Sequence, residues 1–375
     1  MEAKAKTLGG SLLVPSVQEL AKEPLVKVPT RYVRHHHGFS VASSVSAVPI
    51  IDMQRLASKD SSDHELEKLH FACKDWGFFQ MINHGVSCSL LEKVKEETQE
   101  LFKLPMAEKK KYWQEAGDIQ GFGQAFVVSE EQKLDWSDTF FLITLPHHIR
   151  NPNLFPTLPL PLRSLTLPSF SISISLCKCK FLVVKHKDTL EEYSREVKNI
   201  SLKTLNFMAK CLRMEVEDMK ALFEEGIQSV RMNYYPPCPQ PEQVMGLTPH
   251  SDCHGITFLL QINDVEGLQI KKDGAWMQVK PLPNAFIVNL GDTLEIVTNG
   301  IYKSVEHRAV VNSEKERLSI ATFLGPNLDG DMGPAPSLIT SETRPRFTRI
   351  SVADYNNNFF SRELKGKSNL EQYYI

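Results

Sequence analysis

The side chains best placed to do chemistry lie between residues 248 and 319. In Thr248-Pro-His250-Ser-Asp252 an imidazole and a carboxylate stand two apart, and in an extended chain residues two apart project to the same side. His307, in Ser304-Val-Glu-His307-Arg308, adds a second imidazole in a later run that also reads as a strand. Two histidines and one carboxylate on one face of a metal leave its opposite positions open. That donor set suits Fe(II) oxygen chemistry better than a closed structural zinc site. Arg317-Leu-Ser319 then places a guanidinium and a hydroxyl on one face of another strand. The planar arginine fork matches a carboxylate and the serine can donate to the same group, so an acidic co-substrate anchored there would reach back to the metal. Two look-alikes are set aside. His186-Lys-Asp188 places its aspartate where a helix cap is expected, and Arg349-Ile-Ser351 runs into a helix start.

These residues need a scaffold of strands. After Gly226 the chain consists of short runs separated by Pro, Gly and Asn-Asp turns: Val230 to Tyr235, Thr257 to Ile262, Gly267 to Lys271, Trp276 to Val279, Ala285 to Leu290, Ser304 to Val311 and Arg317 to Phe323. Such spacing indicates a sandwich or barrel. Upstream, Val48 to Asp52 and Phe78 to Ile82 read as strands, and His64 to Trp76 as a helix stopped by Gly77. Ser87 to Leu104 is a second amphipathic helix, Gly121-Phe-Gly123 a loop, and Asp188 to about Gly226 a long helical stretch opened by capping-box spacing. The division this predicts is an N-terminal arm (1–46), a helical N-terminal region (47–226), a β core (227–330) and a C-terminal helical region (331–375). The tract His35-His36-His37 in the arm reads as solvated linker.

Length and charge bound the remainder. At roughly 150 residues per domain, 375 residues would allow two or three domains. The 43 Lys and Arg against 45 Asp and Glu give a net charge of -2, which argues against a nucleic-acid or polybasic membrane partner. Seven scattered cysteines without a CxxC pair, and no signal-peptide core at the N-terminus, lead to the expectation of a reduced, cytoplasmic protein, with a monomer as the default. Residues 164–187, SLTLPSFSISISLCKCKFLVVKHK, contain no Asp, Glu, Gly or Asn and do not match their surroundings. They read as an atypical insertion, since joining Arg163 to Asp188 leaves an ordinary loop-to-helix junction of a kind compact domains favour. Without them about 350 residues remain, a size suited to one barrel with its helices.

Taken together, the run Asn233 to Pro241 (NYYPPCPQP), His250-x-Asp252, Gly291 to Gly300 (GDTLEIVTNG), His307-Arg308 and Arg317-x-Ser319 resemble the plant 2-oxoglutarate- and Fe(II)-dependent dioxygenases. Val48 to Asp52 (VPIID), Asp75 to Gln80 (DWGFFQ) and Asn83 to Val86 (NHGV) agree. Val14 to Leu20, Leu134 to Trp136 and Val305 to Ser313 resemble its senescence-related-protein-like branch, which includes O-demethylases of the codeine O-demethylase type. The resemblance implies an α+β fold with a mainly β core, a double-stranded β-helix (jelly roll) flanked by N-terminal and other helices. It implies that His250, Asp252 and His307 ligate Fe(II), that Arg317 and Ser319, helped by Tyr235 and Asn233, bind 2-oxoglutarate, and that ascorbate serves as reductant. His84, though inside a family motif, reads as structural. The implied reaction consumes O2 and 2-oxoglutarate, releases succinate and CO2, and hydroxylates or O- or N-demethylates a small apolar aromatic plant metabolite such as an alkaloid or phenylpropanoid. Beyond the metal centre the chain need supply no base or nucleophile. Phe122, Phe126, Phe140 and Phe141 are candidates for the substrate pocket. Two further readings are an isoform impaired by residues 164–187, and a desaturase or ring-forming oxidase on the same scaffold.

Overall fold

In the strand β5 (Gln228–Tyr235) alternate side chains belong to different environments. Val230, Met232 and Tyr234 join a core that includes Leu190, Tyr193, Val197, Leu101 and Phe102 from the helices, while Arg231, Asn233 and Tyr235 line a cavity on the other face. The same segregation holds in β7 (Ile256–Gln261) and β12 (Arg317–Leu324): Phe258, Leu260, Leu318 and Ile320 face the helices, and Thr257, Leu259, Ser319 and Ala321 face the cavity. A period of two therefore separates a greasy outer face from a functional inner one. This computed structural model describes residues 10–22, 25–34, 48–115, 117–151, 153–154 and 189–375. The capping box at Asp188, the tract at 35–37, His186 and the segment 164–187 lie outside them.

The remaining strands of the two main sheets are β1 (Ile50–Asp52), β2 (Phe78–Ile82), β3 (Gly121–Gly123), β4 (Asp138–Leu145), β6 (Leu247–His250), β8 (Leu268–Lys272), β9 (Ala275–Gln278), β10 (Phe286–Leu290) and β11 (His307–Ala309). They form an eight-stranded sheet, ordered β1-β2-β10-β7-β12-β5-β4-β3, and a four-stranded sheet, β6-β11-β8-β9. Both sheets contribute to the cavity lining, since Leu268 and His307 face it from the smaller and Arg231 and Ser319 from the larger. The long helices Cys88–Lys103 and Thr189–Leu212 pack their apolar stripes on the outer face of the larger sheet.

Three differences from the sequence reading have physical causes. Gly121-Phe-Gly123 is a strand rather than a loop, paired with Phe141, Phe140 and Thr139. Its glycines mask the pattern because a Cβ at Gly121 would lie 2.6 Å from the Tyr112 carbonyl oxygen. The long helix ends at Leu212, where Arg213 turns left-handed and Met214 N–H donates back to the Ala209 carbonyl; a separate helix spans Val216–Phe223. Within 47–226, where the sequence predicts strands at Val48 to Asp52 and Phe78 to Ile82, the chain forms these as β1 and β2 and adds β3 and β4. Of these, β4 carries an unbroken buried run that shows no alternation, because both its faces are covered. The described residues of the arm are docked as well: Asp138 accepts from Val17 N–H and Gln18 N–H, and Val17, Val28 and Tyr32 pack with Trp136 and Tyr235.

Candidate metal and co-substrate site

The antiparallel register of β6 and β11 sets His250 directly opposite His307, with ring centroids 4.3 Å apart. Asp252 follows just past the end of β6. Its Oδ1 lies 3.5 Å from His250 Nε2 and 3.8 Å from His307 Nε2, and one ligand atom from each of the three residues falls within 4.8 Å of the others. All three side chains are buried.

Every other polar atom of this trio is committed elsewhere. His250 Nδ1 lies 2.8 Å from the Thr248 carbonyl and His307 Nδ1 3.1 Å from that of Val305, so each Nδ1–H donates to the backbone and each Nε2 presents a lone pair. Asp252 Oδ2 accepts from Thr257 Oγ1 at 2.6 Å and Asn289 Nδ2 at 2.8 Å, leaving Oδ1 free. His250 Nε2 is buried without a hydrogen-bond partner. An orphaned acceptor beside a second imidazole and a carboxylate fits a divalent transition metal with positions left open. Protonation favours the same result. Burial, with His250 close by, pushes His307 down to about 4, leaving it neutral near pH 7. Burial opposes ionisation of Asp252, but His307, His250 and the Thr257 hydroxyl outweigh it and hold the carboxyl well below its usual range. At His307 and Asp252 a metal therefore meets donors that need not first lose a proton.

Along β12 the cavity continues to Ser319 and Arg317, which pair across the sheet with Asn233 and Tyr235. The Arg317 guanidinium carbon sits 5.2 Å from the Tyr235 ring centroid, and Nη2 donates to Gln261 Oε1 at 2.8 Å. Its buried Nε has no partner, as has Asn233 Oδ1, while Asn233 Nδ2 reaches Ser319 Oγ at 3.4 Å. The four residues expected to serve one carboxylate thus share one corner, with donor capacity unspent. Thr257, Asn289 and Gln261 escaped the sequence reading. Their signal was inward alternation on β7 and β10, strands that carry none of the motif residues, and it becomes readable only once register is known. His84 is structural, its Nε2 facing the Asn284 carbonyl at 2.9 Å and its Nδ1 accepting from Val86 N–H.

A second cavity adjoins the trio. Phe126 and Phe141 line it with Ile119, Phe359 and Phe360. Phe122 and Phe140 do not. They face each other across β3 and β4 on the outer side, packed against Phe102 and Tyr112. The alternation that sends Phe141 inward sends Phe140 outward, so two of the four phenylalanine candidates are corrected to core. A test follows from this pair. Phe140→Ala is expected to cost about 3–5 kcal/mol of stability, read by denaturant unfolding, with the KM for an aromatic substrate unchanged. Phe141→Ala should instead change that KM and the yield of oxidised substrate per succinate. The opposite pattern would reverse the two assignments.

The C-terminal segment returns to this site. Gly366 N–H donates to the Pro249 carbonyl at 2.9 Å and Ser251 N–H to the Gly366 carbonyl at 3.2 Å, bracketing His250. Lys367 Nζ is anchored 2.6 Å from Glu295 Oε2.

Residues 226–326 match the model of the 2OG-Fe(II) oxygenase superfamily, and residues 48–158 that of the non-haem dioxygenase in morphine synthesis N-terminal domain. The chain is 53% identical to Protein SRG1 of Arabidopsis thaliana, covering 99% of each protein. It is 52% identical to oxoglutarate-dependent flavonoid 7-O-demethylase 1 of Ocimum basilicum, covering 98% of this chain and 93% of that one. With thebaine 6-O-demethylase of Papaver somniferum the identity is 50%, over 99% and 98%. The solved structure of JOX2 in complex with 2OG, Fe and JA superposes with a TM-score of 0.79 at 33% identity, over 96% of this chain and 98% of that one.

Proposed function

This chain belongs to the 2-oxoglutarate- and Fe(II)-dependent oxygenases, and from that premise we propose that it hydroxylates or O- or N-demethylates a small aromatic plant metabolite of the flavonoid, phenylpropanoid or alkaloid kind. It is a jelly-roll oxidoreductase using Fe(II), 2-oxoglutarate and O2. In this reading His250, Asp252 and His307 hold the iron, and Arg317 and Ser319, with Tyr235 and Asn233, hold the distal carboxylate of 2-oxoglutarate. Ascorbate maintains the reduced metal. The observation that carries the assignment is the buried, partnerless Nε2 of His250, facing His307 and the free oxygen of Asp252. The substrate class is supported by the apolar cavity beside the trio and by the flavonoid and thebaine demethylases among the relatives.

When bound, iron and 2-oxoglutarate supply the oxidising power that replaces a C–H hydrogen with hydroxyl; on an O- or N-methyl carbon the hydroxylated product collapses to formaldehyde and the demethylated compound. The protein's own work is positioning. Val305 and Thr248 fix the tautomers and orientations of the two imidazoles. Thr257 and Asn289 hold Asp252 with one oxygen free. Arg317 and Ser319 bind the co-substrate at its remote end, so that its other end lies toward the trio, and Phe126, Phe141, Phe359 and Phe360 exclude water around the substrate.

The test is mass spectrometry of candidate aromatic and alkaloid substrates incubated with the protein, Fe(II), ascorbate and 2-oxoglutarate. Gain of oxygen or loss of CH2 supports the reading, whereas loss of H2 supports a desaturase or ring-forming oxidase. No stoichiometric succinate with any of them would overturn it. Deleting residues 164–187 is expected to leave succinate formation and soluble yield unchanged, since every residue assigned to the site lies elsewhere in the sequence. Activity appearing only in the deleted form would favour the impaired isoform. A monomeric cytoplasmic protein without a nucleic-acid partner is part of the same proposal, supported by the net charge of -2 and by five free cysteines among the described residues.

A further inference from the structure

The inward-facing column of β5 reads Tyr235, Asn233, Arg231. The first two belong to the co-substrate corner, and Arg231 lies one inward step further, about 6–7 Å along the strand. It stands opposite Ala321 on β12 and Phe141 on β4. This places it at the junction of the two cavities, and it lines both. The side chain is 7% exposed and its Nε has no hydrogen-bond partner. Among the described residues its guanidinium forms no ion pair; it meets the Phe323 ring, whose centroid is 5.5 Å from its central carbon.

A buried guanidinium without a counter-charge is costly, and neighbouring groups normally arrange to offset the cost. Here they do not. The one carboxylate in the lining of the aromatic cavity is Asp252, whose Oδ2 is held by Thr257 and Asn289 and whose Oδ1 faces the two imidazoles. Ala321 is too short to cover the arginine. His254, on the same wall with its ring centroid 4.9 Å from that of Phe323, offers an imidazole and no anion. The cavity therefore presents a cation with unused, planar, forked donors to whatever enters against Phe126 and Phe141.

We propose that Arg231 orients the primary substrate, by donating hydrogen bonds to an oxygen acceptor (phenol, carbonyl or carboxylate) on an aromatic compound held in this cavity. The proposal rests on the reading of the chain as an aromatic oxygenase and narrows it: oxygenated, neutral or acidic aromatics are preferred to compounds that would bring a protonated amine to the same spot. Arg231 is thus a positioning and specificity residue. The co-substrate corner is complete without it.

The experiment compares the wild-type holoenzyme with Arg231→Met and Arg231→Lys on a methoxyflavone with a free hydroxyl and the same compound lacking it. Arg231→Met is expected to raise KM for the hydroxylated compound by about 10–100-fold, the weight of a buried hydrogen bond from a charged donor. The deoxy compound should change little, and Arg231→Lys should fall between. Affinity for 2-oxoglutarate, Fe(II) binding and substrate-free succinate formation should be unaltered, and the thermal midpoint unchanged or higher, since an unpaired buried cation has been removed. Equal losses on both compounds would overturn the proposal. So would weakened 2-oxoglutarate binding, which would assign Arg231 to the co-substrate, or a lowered thermal midpoint with selectivity intact. Calorimetric binding of the two flavones reads the same preference without turnover. If the wild-type protein forms no succinate with any aromatic, the oxygenase reading fails, while binding still decides the role of Arg231.

Discussion

Asp252→Ala is expected to abolish succinate formation and to lower Fe(II) affinity by more than the roughly 10–100-fold that follows loss of a supporting residue. The change removes one of three donors and also strands the two groups that hold it. Thr257 Oγ1 and Asn289 Nδ2 would be left buried without their acceptor, each at about 1–3 kcal/mol. Asp252→Asn separates the effects, because it preserves volume while withdrawing the charge. Both variants should fail in anaerobic Fe(II) titration, and Asn289→Ala should show the milder loss of an orienting group. Wild-type iron affinity in Asp252→Ala would remove this residue from the metal site, and His250→Ala then becomes the deciding variant.

Arg317→Ala should raise the 2-oxoglutarate concentration needed for half-maximal rate by about 100-fold, within the 2–5 kcal/mol typical of truncating one partner of a buried charge pair. Fe(II) binding should be unchanged. Arg317→Lys is not expected to rescue, since lysine lacks the fork that bonds Gln261 through one nitrogen while its Nε remains available. The pairing of a large co-substrate effect with an intact metal site distinguishes anchoring from general damage. Unaltered 2-oxoglutarate dependence would exclude Arg317 from that corner.

The trio and the co-substrate corner were legible before the fold because their spacing carries geometry. Residues two apart on a strand share a face, whatever the sheet around them. What spacing does not carry is register. Nothing local says that His307 stands opposite His250, or that Thr257, Asn289 and Gln261 point at the same space. Nor can four phenylalanines be sorted when two adjoin, as Phe140 and Phe141 do, and one is flanked by glycines. The strand Asp138–Leu145 hid for the related reason that burial on both faces erases alternation. Arg231 was invisible as a functional group because one arginine in a strand looks like any other until its neighbours prove to offer it no partner.

The bracketing of His250 by Gly366 has a consequence for assembly. The strand that carries the first proposed ligand is fastened on one side by Gly366, 116 positions further along the sequence, and Lys367 adds an anchor to Glu295. During synthesis these residues emerge about 40 positions after Arg317–Leu324, the last strand of either main sheet. A chain in which both sheets have paired would still lack the clasp that fixes the histidine until residues 366 and 367 have emerged, so the metal pocket should mature later than the sheets. Gly366→Pro, which removes the N–H that Pro249 accepts, would then slow metal loading while leaving both sheets paired.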